Sequence, residues 1–300
     1  MIEAKNISKK FDGFTALDNI SCVIPDGSIY GMVGTNGAGK STLLRMLTGV
    51  YKPDNGDIMY DGRKVYENPE VKRDIAYVPD ELYFLPGASM NRMAKLYAAA
   101  YPNFDMERFI SLSDDFRLDR KKNISTFSKG MKRQAAIILA LSGRPKYMFF
   151  DETFDGLDPV MRQAVKKGFI AAMEDRNMTP IIASHNLREL EDICDHVGLL
   201  HKGGILFAKD LDEMKLGIHR LQVVFTNDEE RVRFEENQEI MRDEVRGSLH
   251  TYTIRSSMDD LRNAVASVDT IFSEILTLSL EEIFISETEV VGYDVKNIIE

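Results

Sequence analysis

The chain of 300 residues lacks any long hydrophobic run, which argues against a membrane-spanning protein and against a secreted one. No stretch approaches the roughly 18 uninterrupted apolar residues that a membrane-spanning helix needs. The N-terminus begins with an amphipathic strand pattern and lacks the charged segment followed by an apolar segment of a secretory signal peptide. We therefore expect a cytoplasmic protein that does not cross a bilayer by itself.

Cysteine is scarce as well. The sequence contains only Cys22 and Cys194, which are far apart. In a reducing compartment such a pair predicts buried free thiols and no disulfide. Internal repeats and low-complexity linkers are also missing, and the length suggests one large domain with a smaller one.

An excess of positive charge is the third absence. The chain has 38 Lys and Arg against 48 Asp and Glu, and the segment from Leu216 to the end has 8 against 18. Residues 1–215 are therefore neutral and 216–300 acidic, a step that predicts a domain boundary near Lys215. This balance disfavours nucleic acid as the main partner. One local basic cluster is interpreted as a solvated face: Arg117, Arg120, Lys121 and Lys122.

What the chain does contain is a complete phosphate-binding loop of the form G-x-x-x-x-G-K-[ST]. Its glycines let successive backbone N–H groups point at phosphate oxygens, and a following helix adds its positive end. Lys40 is expected to reach the β- and γ-phosphates and Ser41 to hold Mg²⁺. A strand candidate at 28–33 precedes the loop, as the motif requires. The predicted nucleotide-binding residues are Gly34, Thr35, Asn36, Gly37, Ala38, Gly39, Lys40, Ser41 and Thr42.

Two further apolar strands end in polar side chains. Residues 147–150 are followed by Asp151 and Glu152. In a phosphate-loop protein the first acid belongs at the Mg²⁺ site and the second can face an attacking water. Residues 180–183 are followed by Ser184 and His185, and His185 is expected beside the γ-phosphate because ligands bind at this end of open α/β sheets. Taken alone, a single histidine is as compatible with a structural role.

The pattern along the chain indicates an α/β fold. Residues 1–82 are strand-rich, 88–141 have helical periodicity, and strands then alternate with helices, which implies a parallel sheet covered on both faces. In the acidic tail we predict strands at 221–226, 249–254 and 271–278 and a helix at 258–268. The tail is therefore expected to form a small α+β unit.

From residue 1 to about 215, the order of motifs resembles the ATPase subunits of the ATP-binding cassette (ABC) transporter family. The segment Tyr77–Asp80 is similar to the Q-loop, Phe127–Met131 to the signature sequence and Phe150–Glu152 to the end of the Walker B strand. Gly156–Asp158 is similar to the D-loop, and His185 matches the switch histidine.

The resemblance implies a P-loop NTPase fold with a mixed sheet core, an antiparallel β subdomain and a helical subdomain at about 85–145. It also implies a head-to-tail homodimer or heterodimer with two ATP molecules and Mg²⁺ between the subunits. Ser128 and Gly130 of one subunit are expected to contact the γ-phosphate held by the other. Glu152 and His185 are the implied catalytic residues, and Asp158 the residue that couples the two sites.

An aromatic residue stacks on adenine in this family. Phe11 lies where the family places that ring, and Phe14 is a weaker candidate. For both rings, ordinary packing is the alternative interpretation.

The sequence departs from the family pattern at two places. The Q-loop carries Asp80 where most members have glutamine. We expect Asp80 to be a third Mg²⁺ ligand beside Ser41 and Asp151, although its side chain is shorter than glutamine and charged. The signature has Phe127, Lys129 and Met131 in place of its usual leucine, first glycine and final glutamine. Ser128 and Gly130 retain the phosphate-facing chemistry.

The leading hypothesis is an ATPase that powers export through separate integral membrane subunits, peripheral on the inner face of the membrane. The resemblance makes 88–112 a docking surface for those subunits, although Met90, Met93 and Tyr97 alone would suggest a core. A soluble ABC ATPase acting on ribosomes or DNA is the alternative, but the paired cassettes or long insertions usual there are absent. The signature and His185 argue against a third class, a P-loop switch or kinase.

Overall fold

The computed structural model describes residues 1–154 and 157–290, and the chain divides into two compact units. The first unit is Met1–Ala208, and the second begins at Lys209. The sequence had placed the boundary near Lys215, at the step in charge. No helix in these described stretches is both long and apolar enough to cross a membrane.

The first unit begins with strands and continues with alternating helices and strands. Its first half contains β1 (Ile2–Phe11), β2 (Phe14–Ile24), β3 (Tyr30–Val33), α1 (Lys40–Leu47), β4 (Asn55–Tyr60), β5 (Arg63–Lys64), α2 (Pro69–Lys72), β6 (Ile75–Val78), α3 (Met90–Ala100) and α4 (Met106–Asp115). Its second half contains α5 (Lys129–Ser142), β7 (Tyr147–Asp151), α6 (Pro159–Arg176), β8 (Thr179–Ser184), α7 (Leu187–Glu191), β9 (His196–His201) and most of β10 (Gly204–Asp210), whose last two residues belong to the second unit.

Two sheets organise this unit. Strands β2, β1, β4 and β5 form an antiparallel sheet in that order. The larger sheet has the order β10-β9-β3-β8-β7-β6, and the pairs β9-β3, β3-β8, β8-β7 and β7-β6 are parallel. The mixed α/β architecture predicted from the sequence is confirmed.

Register in the larger sheet brings the ends of four strands to one edge. Val33 pairs with Ser184, Asp151 with Ala183, and Val78 with Phe150. Strands β7 and β8 are buried along their whole length, as expected for parallel strands covered on both faces. Because these strands run in the same direction, the residues that follow each one meet at the same edge.

Two helices bury the apolar faces that the sequence predicts, α1 against the sheets and α3 against α5. Helix α1 buries Leu43, Leu44, Met46 and Leu47, and α3 buries Met90, Met93 and Ala94. The latter face is core, as the residues alone suggested. Cys194 is a buried free thiol, whereas Cys22, expected to be buried, is a free thiol that is only half-buried at the side of the core.

The second unit has a separate core. It contains α8 (Leu211–Gly217), β11 (Ile218–Phe225), α9 (Asp228–Glu235), β12 (Glu239–Arg246), β13 (Leu249–Arg255), α10 (Met258–Ala266), β14 (Thr270–Leu276) and α11 (Leu280–Val290). The strands form an antiparallel sheet with the order β12-β13-β11-β14. Its core residues are Leu221, Val223, Phe234, Tyr252, Ile254, Leu261 and Val268.

Candidate functional site

The phosphate loop leaves the buried strand β3 and enters α1. Gly37 and Gly39 have φ values of 80° and 103°, in the left-handed region that favours glycine. A Cβ on Gly39 would lie 2.8 Å from the carbonyl oxygen of Ala16, and one on Gly34 would lie 2.3 Å from that of Leu200. Only glycine fits at Gly34 and Gly39, so the close approach of neighbouring backbone accounts for the spacing of the motif.

The start of α1 is suited to an anion. Gly39 occupies its N-cap without any side-chain cap, and its first turn has no acidic residue. The first N–H groups of a helix have no partner within the helix and carry its positive end. Thr35, Asn36 and Gly37 in the loop before this helix are exposed, and Ala38 is buried. Ser41 and Thr42, in the first turn of the helix, are half-buried.

Lys40 is folded back over this loop. Its side chain is only 5% exposed, and its ammonium donates to the carbonyl oxygens of Gly34, at 2.6 Å, and Thr35, at 3.3 Å. It also lies 3.1 Å from Oε1 of Glu152. A buried ammonium with this set of acceptors is held in place before any ligand binds.

Asp151 is a buried carboxylate at the end of β7, only 1% exposed. The Ser41 hydroxyl donates to Oδ1 and the Tyr77 hydroxyl to Oδ2, each at 2.9 Å. Burial raises the pKa of Asp151, although both hydrogen bonds oppose the shift. A desolvated carboxylate beside a serine hydroxyl is a set of hard oxygen donors, which fits Mg²⁺.

Glu152 lies between two basic side chains. Its Oε1 faces Lys40, and its Oε2 lies 2.8 Å from Nδ1 and 3.3 Å from the backbone nitrogen of His185. Since an ionised carboxylate can only accept, Nδ1 carries the hydrogen in this contact. Glu152 has a φ of 49°, an uncommon conformation for a non-glycine residue and one that clusters at functional sites.

Two supporting residues were not identified from the sequence as part of the site. Tyr77 binds Asp151 as described, and the buried Thr153 donates its hydroxyl to the carbonyl oxygens of Val78 and Asp151, both at 3.1 Å. These contacts join the ends of β6 and β7. Tyrosine and threonine are common near the ends of strands, so the sequence alone does not predict that these two residues link β6 to β7.

The remaining predicted residues lie elsewhere on the first unit. Ser128 caps α5, with its Oγ accepting from the Met131 amide at 3.2 Å, and Gly130 is in the first turn of that helix. Asp158 caps α6 by accepting from the Met161 amide at 2.9 Å. No described contact joins Ser128, Gly130 or Asp158 to the phosphate loop of the same chain. Gly156 lies outside the described residues.

Asp80 has a partner that the sequence did not suggest. Its Oδ1 accepts from Nη2 of Arg133 at 3.0 Å, and Arg133 belongs to α5. Among the described contacts of Asp80, none is with Ser41 or Asp151, so its assignment as a metal ligand gains no support from this geometry.

The candidate adenine residues lie at the hairpin between β1 and β2. Phe11 is 38% exposed and packs edge-on against Tyr51, with ring centroids 5.5 Å apart. Phe14 is 66% exposed. Phe11 therefore presents a supported ring at the surface, which is the better geometry for stacking on a base.

A second group of ionisable residues lies in the second unit. Glu235, Asp243 and His250 present ligand atoms within 4.8 Å of one another. However, Arg231 donates to both oxygens of Glu235 at 3.0 Å, and the Tyr252 hydroxyl donates to Glu235 at 2.7 Å. This internal network accounts for the cluster without a metal ion.

Comparisons with known proteins agree on one family. A family profile described as "ABC transporter" matches residues 17–155. The chain is 29% identical to the ABC transporter ATP-binding protein YtrB of Bacillus subtilis, over 96% of this chain and 98% of that protein. It is 30% identical to the lantibiotic transport ATP-binding protein SrtF of Streptococcus pyogenes, over 76% of this chain and 96% of that protein.

Solved structures support the same fold. A structure described as the ATP binding subunit of an ABC transporter matches with a TM-score of 0.66 and 27% identity, over 72% of this chain and 92% of that one. A dimeric structure of the bacterial ABC transporter cassette MJ0796 matches with a TM-score of 0.64 and 20% identity, over 70% of this chain and 99% of that one.

The raised pKa of Asp151 predicts a cost of its buried charge to stability. The fold disfavours the ionised form, so the cost is present at neutral pH, begins to fall as the pH drops below the folded-state pKa, and is gone below the unfolded-state pKa. We expect Asp151→Asn, without ligands at pH 7.5, to raise the melting temperature by roughly 2 °C. The gain should shrink as the pH is lowered toward about 4, where the unfolded carboxyl also titrates.

Differential scanning calorimetry would measure this effect, with the exposed Asp18 changed to Asn as the matched control. The control should leave the melting temperature unchanged. A lower melting temperature for Asp151→Asn at pH 7.5 would show that the charge stabilises the fold, contrary to our expectation.

Proposed function

This chain belongs to the ABC transporter family of ATP-binding proteins, and from that premise we propose that it hydrolyses ATP to power transport through separate membrane subunits. The observation that carries the proposal is the convergence of Lys40, Ser41, Asp151, Glu152 and His185 at one edge of the larger sheet. Family membership implies ATP binding and hydrolysis, and this edge provides a group for each step.

We assign the phosphates of ATP to the loop Gly34–Thr42. The first N–H groups of α1 and the ammonium of Lys40 would bind phosphate oxygens. Ser41 and Asp151 would hold Mg²⁺, which supplies charge neutralisation at the phosphates. Tyr77 keeps the Asp151 carboxylate oriented through its hydrogen bond. Phe11 would stack on the adenine ring.

Glu152 is assigned to the attacking water. Its carboxylate follows directly after Asp151, so the ligand of the metal and the base are held by one strand end. His185 positions Glu152 through the contact to Nδ1 and is exposed enough to contact a bound γ-phosphate. The hydrogen bond from Thr153 to Val78 fixes the turn that follows Glu152.

We propose that the complete site needs a second subunit. Ser128, the N-cap of α5, is exposed, Gly130 in its first turn is half-buried, and no described contact joins either residue to the chain's own phosphate loop. A helix N-terminus attracts anions, so these residues would contact the γ-phosphate on a partner. Asp158 would couple the two sites. The dimeric cassette MJ0796, similar in fold, is a precedent for pairing.

Only the names of similar proteins indicate which class of substrate is transported. SrtF is named for lantibiotic transport, which supports a peptide or drug as the transported class, and we propose export as the direction. Such a subunit would work at the inner face of the membrane with integral permease chains. A soluble ABC ATPase acting on ribosomes or DNA is the alternative, and the neutral charge of residues 1–215 disfavours it.

Changing Glu152 to Gln should separate ATP binding from hydrolysis. The amide keeps the size and one acceptor of the side chain but loses the base, so turnover should fall by roughly 10²–10⁴-fold. Binding groups remain, and ATP with Mg²⁺ should therefore hold the variant as a dimer. Phosphate release and size-exclusion chromatography coupled to light scattering would measure the two effects.

Changing Lys40 to Ala provides the contrast, since it should lose nucleotide binding and remain monomeric with ATP. A Glu152→Gln variant that stays monomeric with ATP and Mg²⁺ would contradict the paired site. Turnover near that of the unchanged protein would contradict the role of Glu152.

The transport proposal predicts a membrane partner. Full-length protein purified from detergent-solubilised membranes of its own host should bring down an integral membrane protein in a stable ratio. The complex should hydrolyse ATP faster when reconstituted in vesicles than the isolated subunit does in solution. Recovery of ribosomes or DNA with no integral membrane protein would instead favour the alternative function.

A further inference from the structure

A buried arginine lies between the loop after β6 and the signature helix α5. The side chain of Arg133 is only 4% exposed, and its Nη2 donates to Asp80 at 3.0 Å. Asp80 is 55% exposed, so its carboxylate reaches the guanidinium from the surface. A buried guanidinium needs a paired charge, and removing one partner of such a pair is costly.

Asp80 is also close in the chain to β6, whose end is linked to the proposed metal ligand Asp151. It follows β6 by two residues, and the end of β6 is fixed by two contacts: Tyr77 donates to Asp151, and Thr153 donates to Val78. Helix α5 packs against β6. The contacts therefore form a continuous path from Asp151 through the end of β6 to Asp80 and Arg133.

Arg133 is placed to control the start of α5. It lies five residues after Ser128, which corresponds to about 7.5 Å along a helix axis. Ser128 caps this helix and Gly130 is in its first turn. An anchor so close to the N-terminus limits how the first turn can be oriented.

We propose that Asp80 is a positioning residue that acts through Arg133, and not a ligand of Mg²⁺. The pair fastens the N-terminal part of α5 to the loop after β6, so that Ser128 and Gly130 are presented in the orientation that a partner's phosphate requires. The inference rests on the proposed function, because it assigns the orientation of α5 to the same ATP site. It also explains a charged side chain at position 80, since an amide there would leave Arg133 without a counter-ion among the residues that the structure describes.

The competing role of Asp80 predicts a different result. If Asp80 were a metal ligand, its substitution would weaken Mg²⁺ binding whether or not Arg133 is present. If Asp80 and Arg133 position α5 as a pair, substituting either residue would loosen the start of α5, and substituting the second residue as well would add little. A double-mutant cycle distinguishes the two roles.

The cycle comprises Asp80→Asn, Arg133→Gln and the double variant. Without nucleotide, hydrogen exchange at the amides of residues 131–135, which are hydrogen-bonded at the start of α5, should be about tenfold faster in each single variant, with little further increase in the double variant. In steady-state hydrolysis, each variant should lower kcat by about tenfold. The KM for ATP and the half-saturating Mg²⁺ concentration should stay within about twofold. Asp80→Glu should restore kcat substantially.

Asp114→Asn is the matched control, because Asp114 also binds an arginine, Arg120, at 2.7 Å, but at the surface. It should change neither exchange nor kcat. If Arg133→Gln fails to fold, the cycle is run with Arg133→Lys, which keeps the charge but loses the planar guanidinium. If Asp80→Asn fails to fold, it is run with Asp80→Ser, which also removes the carboxylate.

The proposal is overturned if Asp80→Asn raises the half-saturating Mg²⁺ concentration by tenfold or more while Arg133→Gln does not. Additive effects of the two substitutions on exchange would also overturn it. Exchange is measured without nucleotide, so its outcome is independent of whether the chain hydrolyses ATP. Absence of ATPase activity in the unchanged protein would refute the proposed function instead.

Discussion

The parallel register of the larger sheet is the constraint on which the rest of the structure depends. Pairing of Val33 with Ser184 and of Asp151 with Ala183 places three turns beside one another although they are far apart in the chain. Buried, fully paired strands cannot slip by one residue without reversing every side chain between the two faces. The positions of Lys40, Glu152 and His185 therefore follow from the backbone ladder.

Much of this edge could be predicted from the sequence, because its parts are contiguous in the chain. The order of strand, phosphate loop and helix was confirmed, as were the apolar faces of α1 and α3. The roles of Glu152 and His185 remain proposals. Their contact with each other could not be derived from spacing, since it joins the ends of two strands.

The features that were missed depend on long-range or polar interactions. Tyr77, Thr153 and Arg133 act through partners dozens of residues away. Tyr77 lies in the segment similar to the Q-loop, but that motif does not specify its contact with Asp151, and Thr153 and Arg133 lie outside the motif segments. Strand β12 is largely exposed, and α9 is rich in charge, so neither has the apolar periodicity by which elements are recognised. The composition step near Lys215 and the division after Ala208 differ because α8 joins the second unit before the acidic excess begins.

The ion pairing of Glu152 has a consequence for the resting protein. With one oxygen facing Lys40 and the other bound to His185, both carboxylate oxygens of Glu152 have a partner before any ligand binds. In the proposed function, an incoming phosphate group would compete with Glu152 for the same ammonium. Nucleotide binding would then itself free one oxygen of the residue that we assign to the attacking water.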